Sequence, residues 1–129
     1  MSANERQVGG THYAAPYQHW DFVVDANLSY LEGQFTKYLD RHAKKAGRQD
    51  LEKASHYLEK LIEVVNQGRY HPHGRHRHGT TPLARYIAAR PQLTSAEKRI
   101  LGALYCWGRV DELAEIRDIL NAFIKEVYP

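Results

Sequence analysis

Cysteine is nearly absent. The 129 residues include one Cys, one Met, five Pro and nine Gly. A lone thiol, Cys106, cannot close an internal disulfide, which excludes a disulfide-stapled fold and points to a reducing compartment. No run of 18 apolar residues occurs, so no membrane-spanning helix is expected. The stretch Met1–Arg6 lacks the apolar core of a secretory leader. A cytoplasmic protein is the expectation. Several chemical signatures are also missing: the phosphate-binding Gly-x-x-x-x-Gly-Lys-Ser/Thr loop, the dinucleotide Gly-x-Gly-x-x-Gly turn, Cys-x-x-Cys, His-Glu-x-x-His and the calcium loop.

What remains is ordinary for one small domain: 43% hydrophobic and 26% charged residues,. The net charge of +3 conceals an uneven layout. Residues 69–91 hold Arg69, Arg75, Arg77, Arg85 and Arg90 with no acid, and four of the eight histidines. The rest of the chain is near balance. A basic segment of this kind suits an anionic partner, and Arg69, Arg75 and Arg77 are candidates for contact with nucleic acid; a solvated loop is the plain alternative.

The periodicity predicts an all-α chain. An irregular arm holds Gly9, Gly10, Thr11, His12 and Tyr13, and a short helix is expected over 19–26. Ser29 with Glu32 forms a capping box opening a helix over about 29–46. Gly47 is expected to stop it. Asp50 is read as the N-cap of a second helix over about 50–67, with Leu51, Ala54, Tyr57, Leu58, Leu61, Ile62 and Val65 inward. The pair makes an antiparallel hairpin. Residues 69–80 form a His/Arg-rich loop, and 81–129 add two or three further helices. Thr81 is read as a cap with Pro82 following. Thr94 with Glu97 forms a second capping box, for a helix reaching Trp107, and a last helix spans about 111–128. Cys106 is placed in the core or at an interface. The wide apolar faces within 95–128 suggest that part of this surface meets a second subunit, a homo-oligomer.

Four groups of residues carry possible chemistry. Lys37, Arg41 and Lys44 or Lys45 share one face of the first hairpin helix and suit phosphate oxygens; a solvated face is the plain alternative. Asp50, Lys53, His56, Tyr57 and Lys60 line an edge of its partner, where Lys53 can complete an anion site with Arg41. The arm offers backbone N–H groups at Gly9 and Gly10, a proton carrier in His12 and a stacking ring in Tyr13. His71, His73, His76 and His78 can bind zinc or nickel, but without Cys or carboxylate partners they read better as a pH-sensitive basic patch. No metal site is assigned.

Taken together, Gly9-Gly10-Thr11-His12-Tyr13, Trp20-Asp21-Phe22, the run Glu32–His42 with its Lys37-Tyr38-x-x-Arg41 pattern, Lys44-Lys45 and Asp50-Leu51-x-Lys53-Ala54-x-x-Tyr57 resemble a widespread phage family usually labelled a domain of unknown function. The same domain forms the C-terminal part of a short-tailed coliphage's early nucleotide kinase. The resemblance spans roughly residues 8–66. It departs at Gly33-Gln34, where the family has glycine–asparagine, and His42-Ala43 precede the lysines. The kinase's cysteine-rich N-terminal region has no counterpart.

The resemblance implies phosphoryl transfer to deoxynucleoside monophosphates in an infected bacterial cytoplasm. A nucleoside triphosphate would be the donor, and magnesium is left open. It implies catalytic roles for His12, Arg41, Lys45, Asp50 and Lys53, and substrate contacts for Gly9, Gly10, Tyr13, Lys37, Tyr38 and Tyr57. Trp20 is a further candidate for base stacking. The alternatives are a non-catalytic nucleotide-binding or sequestering protein, a nucleic-acid-binding accessory protein, and an all-α pyrophosphohydrolase using Glu112-x-x-Glu115.

Overall fold

The computed structural model describes residues 3–5, 16–72 and 79–129. Among them the fold is all-helical. A short 3₁₀ turn (Ala3–Glu5) precedes α1 (His19–Asp25), α2 (Tyr30–Arg41), α3 (Arg48–Asn66), α4 (Thr81–Ala88), α5 (Ser95–Cys106) and α6 (Val110–Val127). No described helix is long and apolar enough to cross a membrane.

Local chemistry explains the helix ends. At α2 the Ser29 Oγ accepts from the Glu32 N–H at 3.3 Å, and Glu32 Oε1 accepts from the Ser29 N–H at 3.0 Å. Thr94 and Glu97 repeat the exchange at α5, at 3.2 and 2.9 Å. These are the two capping boxes read from the sequence. α1 ends with Asn27 at φ +55°, a conformation asparagine tolerates better than most residues. The Leu28 N–H reaches back to the Val23 carbonyl. α3 ends the same way, with Gly68 at φ +71° and the Arg69 N–H bonded to the Val64 carbonyl,.

The hairpin turn corrects the expected boundaries. α2 stops at Arg41, not near 46, because the chain bends through 42–47. His42 is buried there, its Nδ1 2.8 Å from the Tyr128 hydroxyl and its Nε2 2.8 Å from Glu97 Oε2. α3 opens at Arg48 with Gly47 as N-cap. Asp50 is therefore the third residue of the helix rather than its cap. Thr80, not Thr81, precedes α4. α5 ends at Cys106, so Trp107 lies beyond it.

α3 lies between α2 and α6. α5 packs on α6 and α2, and α1 pairs with α4. One core results, holding Phe22, Phe35, Leu39, Leu58, Tyr86, Leu104, Trp107 and Ile116. Much of the apolar faces of α5 and α6 is covered within the chain: Ile100, Leu101, Leu104, Leu113, Ile116, Leu120, Phe123 and Ile124 are all buried. Ile119 is only partly covered and Val127 is exposed, so most but not all of the surface that suggested a second subunit is filled by the chain's own helices. Cys106 is exposed and so is not a core residue, because the buried positions of this turn are taken by Leu104, Tyr105 and Trp107.

Buried polar groups lock the layers. Glu32 is fully buried; it accepts from the Trp107 indole N–H at 2.7 Å and from the Tyr70 hydroxyl at 2.7 Å. Asp40 accepts from the Tyr86 hydroxyl at 2.7 Å and from Arg90 Nε at 3.0 Å. Arg90 also stacks on the Tyr86 ring and donates to the Tyr17 carbonyl. Each of these groups has a partner, as burial requires, although Asp40 Oδ1 is itself buried with no hydrogen-bond partner among the described residues,.

Candidate functional site

Six of the residues singled out in the sequence meet at the α2–α3 hairpin, five at its surface and Asp50 buried beneath them. Lys37, Tyr38 and Arg41 come from α2; Asp50, Lys53 and Tyr57 come from α3. On α2, positions 37, 38 and 41 fall on one side because helical neighbours recur at intervals of three to four residues. On α3, positions 50, 53 and 57 do the same.

Tyr38 is the hub. The Lys37 Nζ lies 5.4 Å from the centre of its ring, the Arg41 guanidinium carbon 4.9 Å and the Lys53 Nζ 5.3 Å. A cation near an aromatic ring is favoured by the ring quadrupole. Three like charges around one ring still repel each other, and an anion placed among them relieves that repulsion.

Asp50 supplies one negative charge from below. It is fully buried, and its Oδ2 accepts from Arg41 Nε at 3.2 Å and from the Ala46 N–H at 3.0 Å. Its place in the first turn of α3 also sets it near the positive end of the helix dipole. The other oxygen, Oδ1, is buried with no hydrogen-bond partner among the described residues. The carboxylate therefore fixes the direction of Arg41 from beneath.

An aromatic ladder continues from the hub. Tyr57 stacks on Tyr38 with ring centres 5.8 Å apart and planes 10° apart. Tyr30 meets Tyr57 edge-on at 6.2 Å and 77°. A hydrogen bond shared with Tyr30 raises the pKa of the Tyr57 hydroxyl, with burial adding to it. The sequence reading passed over Tyr30. Its spacing from Lys37, Tyr38 and Arg41, at seven, eight and eleven residues, was the available signal.

Other expected residues lie elsewhere. Lys45 sits exposed in the turn after α2, so it does not extend the α2 stripe, although its backbone N–H bonds the Arg41 carbonyl. Trp20 projects from α1 and its indole N–H donates to Asn4. Gly9, Gly10, His12 and Tyr13 fall outside the described residues, as do Arg75, Arg77 and His73, His76 and His78. Of the other arginines of the basic segment, Arg69 is exposed and donates to Gln67, Arg85 stacks on Tyr17, and Arg90 is buried on Asp40. Glu112 accepts from the backbone N–H groups of Gly108 and Arg109, and Asp111 pairs with Arg109. Glu112, the first carboxylate of the possible Glu112-x-x-Glu115 pyrophosphohydrolase motif, thus serves the start of α6. Among the described residues no cluster of three or more His, Cys, Asp or Glu side chains is arranged to hold a metal ion.

A second polar centre lies between α1, α2 and α4. His19 Nε2 is 2.7 Å from the Thr36 hydroxyl, and its ring meets Tyr86 edge-on. Burial, chiefly, pushes the His19 pKa down to about 4, with Asp40 opposing and Arg90 and Lys37 assisting. His19 is therefore a neutral imidazole at neutral pH.

No family model, curated protein or solved structure matches the chain.

Proposed function

We propose that the hairpin face around Tyr38 binds the phosphates of a nucleotide, and that the protein transfers a phosphoryl group from a nucleoside triphosphate to a deoxynucleoside monophosphate. The observation that carries this reading is the convergence of Lys37, Arg41 and Lys53 within about 5.5 Å of one tyrosine ring. The resemblance of residues 8–66 to the phage family supports it.

Phosphoryl transfer asks little covalent chemistry of a protein. It needs aligned reactants and charge placed around the transferred group. The bond between the donor's γ-phosphorus and its bridging oxygen breaks while an oxygen of the acceptor phosphate bonds to that phosphorus. A nucleoside diphosphate leaves and a deoxynucleoside diphosphate forms. Lys37, Arg41 and Lys53 neutralise the phosphate oxygens in this reading. Asp50 aims the Arg41 fork. Tyr38 holds the cations in place, and Tyr57, stacked on it, offers ring surface to a base. His12 would orient the acceptor, with Lys45 adding charge at the turn.

One observation favours a non-catalytic reading, in which the same residues only bind or sequester a nucleotide. Asp50, a candidate for orienting or deprotonating the acceptor, is fully buried and already engaged by Arg41. A single assay separates the two. Each deoxynucleoside monophosphate is incubated with each triphosphate donor, with and without magnesium, and diphosphate is measured beside calorimetric binding. Diphosphate formation supports transfer. Binding without diphosphate at micromolar protein selects the sequestering protein, and absence of both removes the nucleotide reading.

A further inference from the structure

Tyr30 opens α2 and is 69% exposed. An exposed tyrosine is usually mobile, but this one has a neighbour that holds it: its ring meets the Tyr57 ring edge-on, centres 6.2 Å apart and planes at 77°. A tethered ring with open surface, beside a cluster of cations, is what an unstacked base requires, because every base has a face that stacks on an aromatic side chain.

We propose that Tyr30 is the base platform for a nucleoside triphosphate whose β- and γ-phosphates reach Lys37, Arg41 and Lys53. The proposal rests on the phosphate-binding reading of the hairpin face and adds the ligand's length and direction to it. Helix geometry sets the length. Tyr30 and Lys37 are seven residues apart, roughly 10 Å along the axis, and Arg41 is roughly 16 Å from Tyr30. The ring ladder agrees: Tyr30 stands two ring-to-ring steps from Tyr38, the ring the cations surround. In a nucleoside monophosphate only one sugar separates base from phosphate. A monophosphate stacked on Tyr30 leaves its charge short of the cations. Two more phosphoryl links carry charge along the α2 face to them. The Tyr30 end thus fits the donor of the proposed reaction.

Binding of dTTP, dTMP, inorganic tripolyphosphate and a short oligothymidylate to the full chain tests this, using wild type, Tyr30→Ala, Tyr30→Trp and Lys53→Gln. Tyr30 is exposed, and circular dichroism checks that each variant folds. Tyr30→Ala should weaken dTTP binding about tenfold, as loss of one base–aromatic stack does. Tyr30→Trp should restore it, and dTMP and tripolyphosphate should be unaffected. Equal weakening of dTMP and dTTP overturns the proposal by moving the monophosphate to this ring. No change on Tyr30→Ala overturns it as well. Tighter binding of the oligothymidylate with the same Tyr30 dependence overturns it in favour of a single-strand surface. The underlying reading fails separately: then wild type binds none of the phosphate compounds, or Lys53→Gln leaves their affinities unchanged.

Discussion

Arg41 and Asp50 are joined across the hairpin turn, Nε to Oδ2 at 3.2 Å, with the carboxylate fully buried and the guanidinium about one-fifth exposed. The asymmetry gives the pair its use. The buried partner holds still, and the partly exposed one keeps its guanidinium over the Tyr38 ring, beside Lys37 and Lys53. Removing either side has unequal effects. Arg41→Ala strands a buried carboxylate and should cost about 3 kcal/mol. Asp50→Asn leaves a guanidinium that water can still reach and should cost about 2 kcal/mol. Urea denaturation of the two variants checks the order. An Arg41→Ala protein as stable as wild type would refute the account.

Lys53→Gln separates function from folding. It removes one of three mutually repelling charges, so stability should hold or rise slightly. Phosphate binding should fall by about tenfold or more, the value of one charge-assisted hydrogen bond. Calorimetry with dTMP and thermal melting give the two readings, and a parallel loss of both would argue for a purely structural lysine.

His19 makes stability depend on pH. Its folded pKa is held near 4, mainly by burial, while an exposed imidazole titrates near 6.5. The unfolded chain thus takes up a proton first as pH falls. The stability linked to His19 is complete above about pH 7 and declines between 6.5 and 4, by about 3 kcal/mol in all. Below this window a different group acts. Burial alone would raise the Glu97 pKa, but hydrogen bonds from His42 and Thr94 outweigh it and lower the pKa, so stability is lost as Glu97 protonates. His19→Gln should flatten the upper window and leave the lower one. Denaturant midpoints from about pH 2 to 8 make the comparison.

Gly47 and Gly68 both have positive φ, yet they should respond differently to alanine. Gly47 lies at φ +58° and ψ −125°, outside the left-handed helical region. An added Cβ would meet the Tyr128 ring at 3.4 Å. Gly68 faces open space at φ +71°. Gly47→Ala should cost about 2 kcal/mol and Gly68→Ala about 1 kcal/mol. Equal costs would mean that the Tyr128 contact and the unusual ψ are irrelevant.

Cys106 should react with a water-soluble thiol reagent in the folded protein, because its side chain is exposed. Reaction only after denaturant would place it inside, as the apolar neighbours had suggested.

The sequence by itself determined the elements whose causes are local. Ser29/Glu32 and Thr94/Glu97 each close a capping box over three residues. Periodic Leu51, Ala54, Leu58 and Leu61 commit α3 to a buried stripe. The cations at 37 and 41 were visible for the same reason, since a spacing of four residues puts them on one face of α2, whereas Lys53 joins them only through the packing of α3 on α2. Tertiary structure decided the rest. The bend at 42–47 is held by His42 between Glu97 and Tyr128, partners 55 and 86 residues away. The burial of Glu32 on Trp107 spans 75 residues, and that of Asp40 on Arg90 spans 50. A buried charge is tolerable only where distant chain brings it a partner, and no local pattern records which one arrives. The same limit applied to the apolar faces of α5 and α6, whose cover came from within the chain, and to Tyr30, whose tether to Tyr57 exists only once the hairpin closes.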